Sequence, residues 1–422
     1  MKRVCIVDGA RIPFTRSGAQ YLKDSNKDLM TAALKALVSK LSLNDKEVGE
    51  VVLGAVSKHA YDFSLARECS INAGLSYSTP ATDIQKACGT SLESVIMIAN
   101  KIALGQIDSG VAGGVDTNSD IPVEFTKSFS DIMSKVNYSR SGSDKIKALM
   151  GLRPKDLVPN FPAVKEPRTG LSMGESCEIM AKNWNVTRVE QDTLAYESHQ
   201  KAGKAYEEGF YDDLVYSHGK LKKDGILRPD TTMEKMAKLK PAFDKTSGKG
   251  TLTAANSTSL SDGAACVFLC SEEYAKEHNL NVKAYFVTGQ SAAVDYVNDE
   301  GLLMAPAYAV PKMLEKAGLK LSDFDFYEIH EAFAAQVLCT LKAWESEDFC
   351  KNKLGLDSAL GSIDRSKMNV KGGSLALGHP FAATGARIVA TLAKILEEKG
   401  EGRGLISICT AGGMGVTAII ER

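Results

Sequence analysis

Apolar positions along this chain keep changing period, from short continuous runs to stripes spaced three and four residues apart. The run "RVCIVDG" (3–9) reads as a buried first strand. It is followed by "NKDLMTAALKALVSKL" (26–41), where Leu29, Ala33, Leu34, Leu37 and Leu41 share one face at helical spacing, and then by "EVVLGAV" (50–56) as the next strand. Such alternation predicts an α/β protein with largely buried sheets.

Two later stretches follow one plan. In "TDIQKACGTSLESVIMIANKIALGQIDSGVAGGVD" (82–116) a strand leads to Cys88, a helix with the stripe Leu92, Val95, Ile96, Ala99, Ile102 and Ala103, and a small-residue strand ending in glycines. In "MNVKGGSLALGHPFAATGARIVATLAKILEEKGEGRGLISICTAGGMG" (368–415) a strand leads to His379, a helix, and another small-residue strand carrying Cys409 into glycines. They read as two copies of one unit or as two ordinary β-α-β units of a large α/β protein. Between them the chain becomes richer in charge and turn residues, as in "SRSGSDK" and "KLKKDG", around short amphipathic helices such as that of Phe129, Ile132, Met133 and Val136. The expected organisation is a first half, 1–120 with 251–272, an inserted loop domain, 121–250, and a second half, 273–422.

At 422 residues the chain exceeds the ~250–300 at which single cores stop growing, so more than one packed unit is expected. No apolar stretch approaches the ~18 residues of a membrane span, and the N-terminus lacks a long apolar region with a cleavage site. Nine cysteines without CxxC pairs point to reduced thiols and a cytoplasmic location, and argue against disulfides and structural zinc. A net charge of -1 offers no field for nucleic acid, and none is expected as a partner. From Val123 to Lys165, however, eight Lys or Arg stand against four Asp or Glu, either a solvated face or a surface for phosphates, a membrane or an acidic partner.

Cys88 at a helix start reads either as a gap-filling residue or as a nucleophile whose pKa the helix terminus lowers. His379, between glycine and proline, projects from a loop-to-helix junction. A cysteine beside a histidine can attack a carbonyl and hold a thioester. Cys409, with a thiol pKa near the usual 8–9, adds an acid or base for carbon alpha to a thioester, which points to carbon–carbon chemistry instead of hydrolysis. His330 in "FYEIHEAFAAQV" lacks the second histidine of a zinc motif, so no metal is expected. His59, His199, His218 and His278 carry no small-residue loop and read as structural.

The segments "KACGTS", "HEAFAAQ", "GHPFAATGAR" and "CTAGGMG", in this order, resemble the thiolase family over essentially the whole chain. The resemblance implies a five-layer α-β-α-β-α body of two similar halves with the inserted loop domain over the site. It implies acyl transfer between thioesters, with Cys88 acylated, His379 activating it, Cys409 as acid and base at the alpha carbon, and the backbone N–H groups of Cys88 and Ala411 as an oxyanion hole. His330 stands where most thiolases have asparagine, and binds the substrate carbonyl or a water. That histidine, with "LRPKDLVP", "PAV" and "TGLSMGE", resembles the thiolase (β) subunits of fatty-acid oxidation complexes, which degrade 3-ketoacyl-CoA. The biosynthetic condensation to acetoacetyl-CoA is the alternative. The resemblance further implies coenzyme A as a substrate with no tightly bound cofactor, CoA contacts from Arg228, Thr258 and Met173, a homodimer or larger oligomer, and a hydratase/dehydrogenase partner chain; the basic segment could dock that chain or an anionic membrane surface.

Overall fold

The computed structural model describes residues 1–162, 165–298 and 300–422; Ala163 and Val164 of the "PAV" stretch lie outside the described residues. The strands are β1 (Val4–Arg11), β2 (Thr15–Arg16), β3 (Glu50–Gly54), β4 (Ala81–Ile84), β5 (Ser109–Asp116), β6 (Ser261–Ser271), β7 (Ala284–Ala293), β8 (Phe326–Ile329), β9 (Arg403–Thr410) and β10 (Met414–Glu421). Their order is β4-β3-β5-β6-β1-β7-β10-β9-β8, with β2 set against β6.

This order reads as one topology used twice. In the first half β4, β3 and β5 are parallel, and β6 and β1 follow antiparallel. In the second half β8 and β9 are parallel, and β10 and β7 follow antiparallel. The halves join where the first residues of β1, paired to β6 on one side, also pair with β7 on the other, Cys5 standing opposite both Cys270 and Tyr285.

The counterpart of β4 in the second half corrects the expected strand before His379: it is reduced to one parallel bridge, Tyr327 to Met368. The next residue, Asn369, has φ 45°, which asparagine tolerates and an extended strand does not. Its side chain takes over the pairing, accepting from Ile329 N–H at 2.9 Å and donating to Ile329 C=O at 2.9 Å. Side-chain amide thus replaces backbone, and the chain is free to turn into the loop that carries His379.

Three apolar clusters define five layers. The helices Asn26–Lys40 and Leu65–Asn72 cover one face of the first half-sheet, their buried stripe including Leu29, Ala33, Leu34 and Leu37. The helices Ala305–Ala317 and Ala334–Glu345 cover the outer face of the second. Between the half-sheets lie the helices Thr90–Ala103 and Thr384–Lys399, which share one core with inward residues of both, among them Val267 and Ile408. These two central helices touch through their first turns: Ala386 N–H donates to Ser91 Oγ at 2.8 Å, and Gly385 lies against the backbone of Leu92.

The stretch between β5 and β6 carries the basic segment. Its helix Lys127–Tyr138 buries only Ile132, and the next, Gly142–Leu149, buries nothing. Both are capped by hydroxyls, Thr126 and Ser141, so local hydrogen bonds and not a core define them. Phe125, Tyr138, Ile146, Met150 and Phe161 are left exposed there.

Candidate active site

In an open α/β sheet, ligands gather beyond the carboxyl ends of the parallel strands. Cys88 follows β4, and His379 follows the Met368 bridge that replaces β4 in the second half, so the two occupy equivalent places. His330 directly follows β8, and Cys409 sits one residue before the end of β9.

The turn that presents Cys88 is strained and held. Ala87 has φ 45°, uncommon for a residue with a Cβ. Thr90 fixes it, its Oγ accepting from Lys86 N–H at 2.8 Å and donating to the Ala87 carbonyl at 2.7 Å. Gly89 then caps the helix without a side chain, and a Cβ there would approach Val416 Cγ2 at 2.7 Å and Thr410 Cγ2 at 2.9 Å. The missing side chain lets the Cys88 turn lie directly on β9 and β10.

From β9, the buried Cys409 pairs with Gly415 of β10. The turn between these strands places the Ala411 N–H against the half-buried Cys88 thiol. Gly412 and Gly413, at φ 76° and 67°, form this turn, and Glu166 of the intervening stretch pins it by accepting from Gly412 N–H at 2.7 Å.

His379 arrives through Gly378, whose φ of 106° a side chain would resist. Its N–H donates to Ser261 Oγ at 3.2 Å, and its Nδ1 lies 2.6 Å from Thr384 Oγ. With Nδ1–H donating to Thr384, Nε2 carries the lone pair a base needs. Asp116 at the end of β5 joins the two halves, accepting from Val56, Ser57 and Ala382 N–H at 2.8–2.9 Å. The ring of His330 stands 4.1 Å from that of His379 at 52°.

Burial dominates the electrostatics and reverses an expectation. Desolvation pushes the Cys88 thiol up to about 12, only partly offset by the Ala411 N–H, so the helix terminus does not lower it. Cys409 does not keep an ordinary thiol pKa either: burial, and then the nearby Cys88, raise it well above. Burial and then Arg387 bring His379 down to about 3, and His330 falls well below the usual imidazole value through burial, His379 and Arg387. All four groups are therefore neutral at rest, because separating charge in a dry site costs more than one helix end returns.

A cavity of about 670 Å³ is lined by Arg16, His199, Arg228, Phe243, Thr258 and Leu375 among others, none of the four groups being on its wall. Thr258 is woven into the site: its N–H and its hydroxyl both donate to the Ala332 carbonyl, at 3.0 and 3.1 Å, two residues past His330. Leu260, two residues on, bridges to His379. Arg228 and Thr258 thus share one cavity, whereas the half-buried Met173 packs on the second-half core and is not among the lining residues. His199, taken from the sequence as structural, lines the cavity and accepts from Arg228 N–H at 3.2 Å. It stands in the middle of the helix Arg188–Glu207, where only tertiary packing reveals its role.

Sequence reading also passed over Glu331. This buried carboxylate accepts from Ser198 Oγ at 2.7 Å, Asn369 Nδ2 at 2.6 Å and Leu375 N–H at 3.2 Å, fixing the loop of His330 to the turn before His379. A glycine-rich partner segment was the available signal: Gly373 has no room for a Cβ because the Glu331 carboxylate fills it.

Residues 4–273 match the thiolase N-terminal domain and residues 280–422 the thiolase C-terminal domain. The 3-ketoacyl-CoA thiolases of Photorhabdus laumondii and Serratia proteamaculans are each 40% identical to the chain over 99% of its length and 97% of theirs. Among solved structures, the Bacillus anthracis acetyl-CoA acetyltransferase superposes with a TM-score of 0.82 at 32% identity, covering 100% of this chain and 99% of that one. Human mitochondrial 3-ketoacyl-CoA thiolase also superposes with a TM-score of 0.82, at 28% identity over 100% of this chain and 98% of that one. Two sulfurs and two imidazoles gathered at the strand ends of a doubled sheet, together with these matches along the whole chain, make this protein a member of the thiolase family.

Proposed function

We propose that the protein is a 3-ketoacyl-CoA thiolase that cleaves its substrate with free coenzyme A in fatty-acid β-oxidation. The observation that carries this reading is the second sulfur: Cys409 lies close enough to Cys88 for the Cys88 thiol to add to the cost of charging Cys409. A hydrolase needs no acid for carbon at that point. Because the resting thiol and imidazole are both neutral, the Cys88 proton passes to His379 Nε2 as sulfur attacks the 3-keto carbon. The N–H groups of Cys88 and Ala411 receive the oxyanion, an arrangement worth about 2.7–4 kcal/mol per donor. The C2–C3 bond then breaks, and its electron pair goes to the departing acetyl-CoA enolate. Cys409 protonates C2, and His330 holds the thioester oxygen. Free CoA, its thiol proton taken by Cys409, attacks the acyl carbon and leaves as acyl-CoA, while the freed Cys88 sulfur recovers its proton from His379.

Coenzyme A enters as substrate in the cavity of Arg228 and His199, and the scheme requires no tightly bound cofactor. Intact-protein mass spectrometry after mixing with a 3-ketoacyl-CoA tests it: an acyl adduct is expected on Cys88, and the same adduct on a Cys88→Ala protein defeats the assignment. The likeness to an acetyl-CoA acetyltransferase favours the biosynthetic reading as second, and turnover confined to four-carbon substrates in a chain-length panel selects it.

For the finer partners, exposed Phe125, Tyr138, Ile146, Met150 and Phe161 interleave with the basic excess of residues 123–165, the composition of an interfacial segment drawn to anionic lipid. Co-sedimentation with phosphatidylserine vesicles is expected to fall several-fold in Lys145→Glu/Lys147→Glu; unchanged sedimentation removes the lipid reading in favour of a second protein chain.

A further inference from the structure

Beneath His330 lies a chain of buried polar groups that the reaction scheme does not use. Arg387, on the central helix Thr384–Lys399, is 1% exposed, and its nearest carboxylate, the equally buried Glu328, is 3.8 Å away. Arg387 Nη2 donates to Ser374 Oγ at 2.8 Å, and the same oxygen lies 2.8 Å from His330 Nδ1. His330 is itself 0% exposed, and its Nε2 has no hydrogen-bond partner among the described residues.

The hydrogen positions follow from counting donors. A guanidinium has N–H groups and no acceptor, so Arg387 must give a hydrogen to Ser374 Oγ. The serine keeps one hydrogen of its own, and His330 Nδ1 is the remaining atom within hydrogen-bond reach among the described residues. Were Nδ1 to carry a proton, Ser374 Oγ would accept twice, its own hydrogen would be stranded at a cost of about 1–3 kcal/mol, and the Nε2 lone pair would be unpartnered as well; with Nδ1 accepting, the one stranded hydrogen is that on Nε2, which a substrate oxygen can take. Nδ1 therefore accepts, and the ring proton sits on Nε2. Full burial, and then His379 and the Arg387 guanidinium, disfavour a doubly protonated ring. The unpartnered buried Nε2 is thus an N–H donor without an acceptor, on a ring packed against the ring of His379.

We propose that Ser374, oriented by Arg387, is a positioning residue that holds His330 as its Nε2–H tautomer, so that a preorganised hydrogen meets the thioester oxygen of the departing enolate. This rests on the thiolytic reading above for the identity of the acceptor; the tautomer itself does not. Arg387 acts at one remove, with the buried Glu328 carboxyl 3.8 Å from its Nη1. The network is formed before substrate arrives, which gives such a donor its value: no reorientation is needed as negative charge develops.

Nitrogen NMR of protein labelled with ¹⁵N-histidine reads the tautomer directly, the His330 signals being identified by their loss in His330→Asn. Wild type is expected to show a neutral ring protonated at Nε2, Ser374→Ala a shift to the Nδ1–H form or a mixture, and Ser374→Thr, which keeps the hydroxyl, the wild-type form. In kinetics, Ser374→Ala is expected to lower kcat for thiolysis by about 10²-fold, as for loss of an oxyanion donor, with KM for CoA within twofold of wild type. Ser374→Thr should restore kcat, and Ser374→Ala should cost little more once His330→Asn is present. An Nδ1-protonated ring in wild type overturns the proposal, as does a Ser374→Ala protein that keeps both tautomer and kcat, or one whose loss is equally large in the His330→Asn background. Should wild type show the Nε2–H ring yet never acylate Cys88, the positioning stands and the thiolytic reading fails.

Discussion

Replacement of Cys409 by alanine is expected to slow cleavage of a 3-ketoacyl-CoA by about 10²–10⁴-fold, the usual span for a lost general acid, while acylation of Cys88 by a simple acyl-CoA falls at least about tenfold less. The asymmetry follows from the leaving groups. Cleaving the 3-ketoacyl substrate expels carbon, and an enolate that finds no proton at C2 collapses back onto the acyl-enzyme. Acylation by a simple thioester expels a thiolate, which departs far more readily without help. Cys409 is raised well above an ordinary thiol by burial and by Cys88, so it holds its proton until an enolate stronger in base than itself is formed beside it. Stopped-flow rates of the two reactions, with the adduct on Cys88 weighed in each, measure the split. Equal losses in both would show that Cys409 supports only the geometry of Cys88. The substitution removes a single buried sulfur at 1% exposure, so thermal melts are expected to move little compared with the kinetic change.

Gly385→Ala is expected to do the opposite, lowering stability and activity together. An added Cβ would come within 2.8 Å of Leu92 Cβ and 2.9 Å of Leu92 Cα, with the Leu92 backbone nitrogen closer still. Backbone cannot rotate out of the way, so the two central helices must part. Overpacking of this kind costs about 3 kcal/mol, and in a chain this long that corresponds to a fall in Tm of roughly 3–4 °C. Parting the helices also breaks the Ala386 N–H to Ser91 Oγ bond and moves the Cys88 turn relative to the His379 loop. A displacement of about 1 Å between reacting groups is enough for a roughly 10²-fold loss of kcat. Gly142→Ala serves as control, because a Cβ there meets open space at the first turn of an exposed helix. Melting and turnover like wild type are expected for it. A Gly385→Ala protein that matches the control in both would mean that the central helices are not held at contact distance.

The legible part of the molecule was the part written in short-range pattern. Apolar spacing marked the helix Asn26–Lys40 and β3, and the amphipathic spacing of Phe129, Ile132, Met133 and Val136 marked the exposed helix Lys127–Tyr138. Small residues around Cys88, His379 and Cys409 were visible as well, since close approach of backbones excludes side chains and leaves a trace in composition. The doubled plan could be seen in two segments, although the sheet that unites them, and the loss of a whole strand to the side chain of Asn369, could not.

What only the tertiary structure decided has one physical origin: it depends on groups far apart in the chain excluding water from each other. Local context predicted a lowered Cys88 and an ordinary Cys409, and burial from both halves reversed the first and raised the second. His199 in mid-helix, Glu331 behind the His330 loop and Arg387 beneath Ser374 carry no local signature, because a lone charge or imidazole in sequence has no environment until packing supplies one. The sequence by itself determined which residue types were available for acyl transfer and on which elements they ride. The packed structure decided their protonation, their hydrogen-bond directions and their company, because desolvation and donor counting act on neighbours in space and not along the chain.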